Sequence, residues 1–146
     1  MNTRVFCPCG SDIDYAQCCR PFHAGEKKPV TAVALMRSRF TAYALRNTDY
    51  LLETWDAAVR PELIDFSKEK IEWLSLEIVS TKKGGAKDAK GVVEFKAYYV
   101  QDGEESVMNE VSQFVKRTGA WFYLDGRVKA NSEIINTSPG LSLGRS

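Results

Sequence analysis

The chain has 146 residues, 44% hydrophobic and 11% aromatic, enough to bury a core without cross-links. Twenty Lys and Arg against nineteen Asp and Glu leave a formal net charge of +1, which excludes a global field drawing the molecule to nucleic acid or an anionic membrane. No run approaches the roughly eighteen apolar residues of a spanning helix, and Met1–Phe6 has one basic residue and no apolar stretch; the expectation is a cytoplasmic protein whose thiols stay reduced.

All four cysteines fall between Cys7 and Cys19: Cys7 and Cys9 as a C-x-C pair, eight intervening residues, then adjacent Cys18 and Cys19. Four soft sulfur donors are what a closed tetrahedral structural zinc site needs. Pro8 and Gly10 suit a tight turn that aims two thiolates at one point, and the short connecting loop keeps the closure cost small. Cys18 and Cys19 would pair with each other only in a strained ring. The pattern therefore predicts one structural Zn2+ on Cys7, Cys9, Cys18 and Cys19, with a redox or catalytic thiol as the alternative. His23, the single histidine, reads as a surface residue near the site rather than a ligand. Arg20 is placed to offset the charge of about −2 that four thiolates and one zinc would carry.

Cys7-Pro8-Cys9-Gly10-Ser11, then Tyr15, then Cys18-Cys19 resembles the SEC-C motif, a zinc-binding module also found at the tail of the preprotein translocase SecA. The resemblance covers about residues 1–25 and implies the metal site. Asp12 and Asp14 stand where that motif often carries lysines, so nothing beyond the metal site is carried over.

Farther along, Glu26-Lys27-Lys28-Pro29 is a polar connector, and Thr31 is placed to cap a helix. Val33, Met36, Phe40 and Tyr43 recur at helical spacing, predicting an amphipathic helix over 32–46 with Arg37, Ser38, Arg39 and Arg46 on its other face. A second short helix is expected over 50–55, and Pro61 suggests a third, running to Asp65. The period then changes to two, predicting strands near 71–80, 92–101, 107–117 and 120–125. Their connections are the Lys82–Asp88 loop, Asp102-Gly103 and Thr118-Gly119. Residues 129–146 are rich in Ser, Asn and Gly with no apolar period, and read as a flexible tail.

Leu35-Met36-Arg37-Ser38-Arg39-Phe40, Asp49-Tyr50-Leu51, Thr54-Trp55, Glu72-Trp73-Leu74, Glu110-x-Ser112-x-Phe114 and Gly119-x-Trp121-x-Tyr123-x-Asp125-Gly126 resemble the YchJ family of small bacterial proteins. That resemblance implies an α+β architecture. An N-terminal zinc knuckle (1–25) would precede a cone-shaped domain (30–128) similar to nuclear transport factor 2, with about three helices packed on a curved four-stranded antiparallel sheet.

Alternation puts Glu110, Ser112 and Phe114 on one strand face and Trp121, Tyr123 and Asp125 on one face of the next. With Trp55 and Trp73 they outline a possible pocket, in which a buried Glu110 would need a cation from Arg37 or Arg39. The same residues can equally form an internal salt bridge and core. No Gly-rich phosphate loop or H-E-x-x-H pattern occurs, so no catalytic residue is assigned. Lys82, Lys83, Lys87 and Lys90 lack an interleaved aromatic and read as a solvated loop, not a nucleic-acid platform. The expectation is a zinc-binding, non-enzymatic module that meets a protein partner through its knuckle, with a possible homodimer through the sheet. The alternative is a small-molecule binding protein or enzyme using the pocket.

Overall fold

A computed structural model describes residues 6–66 and 70–129. Of the expected flexible tail, 130–146 lie outside the described residues; Lys129 donates its backbone N–H to Asn109 O at 2.8 Å.

A 3-10 turn at Tyr15–Gln17 and a one-turn helix α1 (Arg20–His23) complete the cysteine-bearing segment. Pro21 sits in the first turn of α1, where its missing N–H costs nothing. Helix α2 (Ala32–Leu45) starts where Thr31 Oγ1 accepts the Ala34 N–H at 3.1 Å. It ends at Arg46, whose left-handed φ of 59° lets Asn47 N–H reach Ala42 O at 2.7 Å. Asn47 Oδ1 in turn accepts the Tyr50 N–H at 3.1 Å and opens α3 (Thr48–Glu53).

Two expectations need correction. The segment after Pro61 is not helical. Ile64 and Phe66 turn inward while Leu63 and Asp65 face out, an extended period-two arrangement. Nor is α2 amphipathic: Ser38 and Arg39, expected on a polar face, are as buried as Leu35 and Phe40. The helix packs on the sheet with one side and receives α1 and α3 on others, so little of it meets water.

The strands β1 (Ile71–Lys83), β2 (Lys90–Gln101), β3 (Glu104–Arg117) and β4 (Ala120–Val128) form an antiparallel meander in chain order. Both tight hairpins place two consecutive residues at positive φ, Asp102 (53°) with Gly103 (81°) and Thr118 (49°) with Gly119 (83°). That is the backbone of the two-residue turns that match strand twist. Bulges between Trp73 and Ser75, between Ile78 and Ser80, and opposite Gln113–Phe114 bend the sheet around α2. The core between α2 and the sheet is built from Leu35, Met36, Phe40, Leu51, Val93, Phe95 and Phe114 among others. Cys7, Cys9 and Cys19 form a second, separate buried cluster.

Candidate metal centre

The cysteine segment closes on itself by backbone bonds from Cys7 N–H to Ile13 O (2.8 Å) and Gly10 N–H to Cys7 O (3.2 Å). The turn at Tyr15–Gln17 then delivers Cys18 and Cys19 to the same point. All four Sγ atoms lie within 4.8 Å of one another, with Cys9–Cys18 at 3.5 Å and Cys18–Cys19 at 3.9 Å. Cys7, Cys9 and Cys19 are buried, and Cys18 is half-buried with Ser11 Oγ at 3.1 Å from its sulfur. No disulfide joins them.

Three of the thiols are strongly perturbed by their neighbours. Hydrogen bonds from Cys19 and then Cys7 hold the Cys9 thiol far below its ordinary range. Cys19 is driven far up, first by its bonds with Cys7 and Cys9 and then by burial. Burial, ahead of its neighbours, pushes Cys18 up to about 11. An ionised Cys9 thus opposes ionisation of Cys18 and Cys19, and a cation at the centre would relieve that opposition. Four cysteine sulfurs at this spacing, three of them buried, suggest a metal centre.

The body of the protein supplies the surroundings. Arg37 Nη1 donates to Cys9 O at 2.8 Å and lies 4.0 Å from Cys9 Sγ, and Thr41 Oγ1 is 3.4 Å from Cys7 Sγ; both come from α2. Arg20, the cation expected beside the site, is exposed, and the guanidinium that reaches a cysteine is that of Arg37. Arg37 and Arg39 are two residues apart on a helix, about 200° around its axis, so one faces the cysteines and the other the interior. His23 is half-buried rather than a surface residue. Its Nε2 donates to Ser38 O at 2.8 Å and its Nδ1 accepts from Tyr15 Oη at 2.9 Å, so both nitrogens are engaged away from the sulfurs. Local sequence offers no signal for Thr41 or Arg37, which are brought in by docking of the knuckle on α2.

The residues read as a possible pocket separate into groups. Arg39, Trp55, Glu110, Ser112, Phe114 and Tyr123 share one fully buried region. Tyr123 meets Trp55 and Phe114 edge-on at 5.4 and 5.8 Å, and the Arg39 guanidinium lies 4.7 Å from the Tyr123 ring centroid and 5.0 Å from that of Trp55. Arg39 Nη1 donates to Leu51 O (2.8 Å) and Thr54 Oγ1 (2.9 Å), and Ser112 Oγ donates to Glu110 Oε2 at 2.9 Å. Burial pulls the Arg39 pKa down, while the Tyr43, Tyr123, Tyr50 and Glu110 side chains act in the other direction. Trp73 packs elsewhere in the core, against Phe40 and Tyr99. Trp121 donates its indole N–H to Val30 O at 3.1 Å, pinning the connector.

Asp125 is a correction. Tyr123 pairs with Phe114 but Asp125 pairs with Gln113, so the bulge at Leu124 reverses the alternation and sends Asp125 to the exposed face. Arg37, at the cysteines, also leaves the group. Gly140-Leu141-Ser142-Leu143-Gly144 spells the G-x-S-x-G nucleophile pattern, but no strand-length apolar run precedes it and it lies outside the described residues, so it carries no assignment.

Comparison with known proteins gives two family matches. The profile described as "YchJ, middle NTF2-like domain" matches residues 31–126, and that of the SEC-C motif matches 7–21. A UPF0225 protein of Corynebacterium efficiens is 48% identical over 124 residues, covering 84% of this chain and 92% of its own length. The UPF0225 protein YchJ of Shigella dysenteriae is 39% identical, covering 82% and 81%. The solution structure of a SEC-C motif containing protein from Rhodopseudomonas palustris aligns with a TM-score of 0.76 at 35% identity, over 86% of this chain and all of that one. A crystal structure of a SEC-C motif containing protein from Psychrobacter arcticus aligns at 0.70 and 27% identity, over 86% and 84%.

Proposed function

The chain belongs to the YchJ family, and from that premise we propose that it is a zinc-stabilised, non-enzymatic interaction module whose knuckle meets a protein partner. The convergence of four sulfurs within 4.8 Å carries the metal half of the reading. A tetrahedral zinc with Zn–S of about 2.3 Å sets its sulfurs about 3.8 Å apart, close to the spacing of the Cys9, Cys18 and Cys19 pairs. Four thiolates favour zinc over the hard cations, and the absence of an open coordination position fits a structural role better than a catalytic one. Arg37 would supply the compensating charge and a fixed Cys9 carbonyl.

The interaction half rests on the knuckle's outer surface. Phe6 and Ile13 remain 51% and 47% exposed there, beside exposed Asp12. A segment of this size cannot hide such side chains in a core of its own, and apolar residues ringed by polar ones mark contact surfaces. The expected compartment is the cytoplasm, where thiols persist; no helix among the described residues is long and apolar enough to cross a membrane.

Native mass spectrometry of gently purified protein tests the metal, with one zinc per chain expected and none in Cys9→Ser. Affinity capture with the wild type and Cys9→Ser as paired baits tests the interface. A partner retained equally by both would remove the knuckle from the interaction, and a stoichiometric organic adduct in the spectrum would move the function to the interior of the cone domain.

A further inference from the structure

A cleft of about 330 Å³ lies on the seam between the end of the knuckle, α3 and the start of β4. Its apolar walls include Phe22 from α1 and Trp121 with Phe122 from β4. Charge is distributed unevenly over it: Lys27 and Lys28 line the connector side, and Glu53 lines the α3 side, all three exposed.

The cleft is held in shape from both ends. Glu26 N–H and Lys27 N–H both donate to Pro21 O, at 2.9 and 3.3 Å, tying the lysine-bearing connector to α1. The Trp121 indole bond to Val30 O anchors the other end of that connector to the sheet. Two lysines held by a tethered backbone beside an aromatic floor suit carboxylates flanking an apolar side chain. The volume admits a small number of side chains rather than a folded surface.

We infer that this seam cleft binds an acidic peptide segment, its apolar side chain seated between Phe22 and Trp121 and its carboxylates on Lys27 and Lys28. The inference rests on reading the protein as an interaction module, and adds to the knuckle surface a second contact with its own chemistry. Because α1 follows directly on Cys19, the metal centre and one wall of the cleft are coupled through the chain. Glu53 opposes such a ligand and sets a limit on its affinity.

Fluorescence anisotropy with the full, metal-loaded chain tests it. The probe is a labelled pentapeptide of phenylalanine flanked by two glutamates on each side; the comparison peptide carries lysines instead. Saturable binding of the acidic peptide, at least about tenfold stronger than that of the basic one, is expected. Lys27→Glu with Lys28→Glu should weaken it about tenfold, and Glu53→Gln should tighten it about two- to threefold. No saturable binding, equal binding of the two peptides, or affinity unchanged by the lysine pair overturns the cleft and leaves the knuckle interface intact. A partner captured equally by wild type and Cys9→Ser overturns the knuckle interface without touching the peptide result.

Discussion

Two buried tyrosines show how differently a single hydroxyl can act. Tyr50 Oη is 2.7 Å from Ser38 Oγ, which itself donates to Leu35 O at 2.9 Å, so the phenol completes a buried chain. Tyr123 Oη is buried with no hydrogen-bond partner among the described residues. Burial first, and the Glu110 charge second, push its pKa up, so it stays a neutral phenol. Tyr50→Phe should cost about 1 kcal/mol in urea unfolding, because it removes the buried bond that the phenol donates to Ser38 Oγ. Tyr123→Phe should cost nothing or stabilise, because it removes a desolvated group without a bond; a loss as large as that of Tyr50→Phe would show a partner for this phenol. His23 gives the pH prediction. Burial lowers its pKa below the ordinary 6.5, against a smaller opposing effect of the Ser38 carbonyl. The neutral form is the native one, so its contribution is complete above pH 6.5 and is lost as pH falls through the lower folded value. An NMR titration of the ring should find its midpoint below 6.5, and a midpoint above it would contradict the buried arrangement.

At the scale of elements, the knuckle and the sheet are joined through one glycine. Gly10 has φ of +84°, and a Cβ there would run into the Leu76 carbonyl of β1. The turn therefore demands glycine twice over, for its left-handed backbone and for its closeness to the strand. Gly10→Ala should destabilise the protein by more than about 1 kcal/mol and lower metal affinity, since the same turn carries Cys9. Unchanged thermal unfolding and metal content would mean that the knuckle does not rest on β1. The elements also show where periodicity is a sufficient guide. Four strands and two two-residue turns follow from alternation and from Asp-Gly and Thr-Gly, which are local signals. The helix expected after Pro61 failed because a proline at a helix start says nothing about whether the residues after it bury a helical stripe, and Ile64 and Phe66 bury a period-two one instead.

For the whole molecule, the decisive fact is that the four cysteines and the main core do not mix. The cluster of Leu35, Phe40, Phe95 and Phe114 contains no cysteine, and the cysteine turns meet the body at α2 and at the Leu76 carbonyl of β1, while Phe22 and His23 after them pack on the main core and on Tyr50. Chelating the metal should therefore raise amide exchange across Cys7–Cys19 while β2 and β3 keep their protection. Loss of protection throughout the sheet would show that the core requires the metal. The cysteine cluster, strand order and turn positions were legible in the sequence because each depends on residues close together in the chain: sulfurs within thirteen positions, apolar residues at spacing two, glycines at turns. Which arginine serves which site was not. Arg37 and Arg39 differ only by the turn of a helix between them, and that difference acquires meaning when the knuckle docks on one side of α2 and the sheet on the other. Nor was the fate of Asp125 legible, since one bulged residue in β4 is enough to exchange the two faces of a strand. Local chemistry and periodicity were properties of the sequence by itself; the assignment of charges to interior, metal centre and surface belonged to tertiary packing, because burial is decided by what lies across the fold.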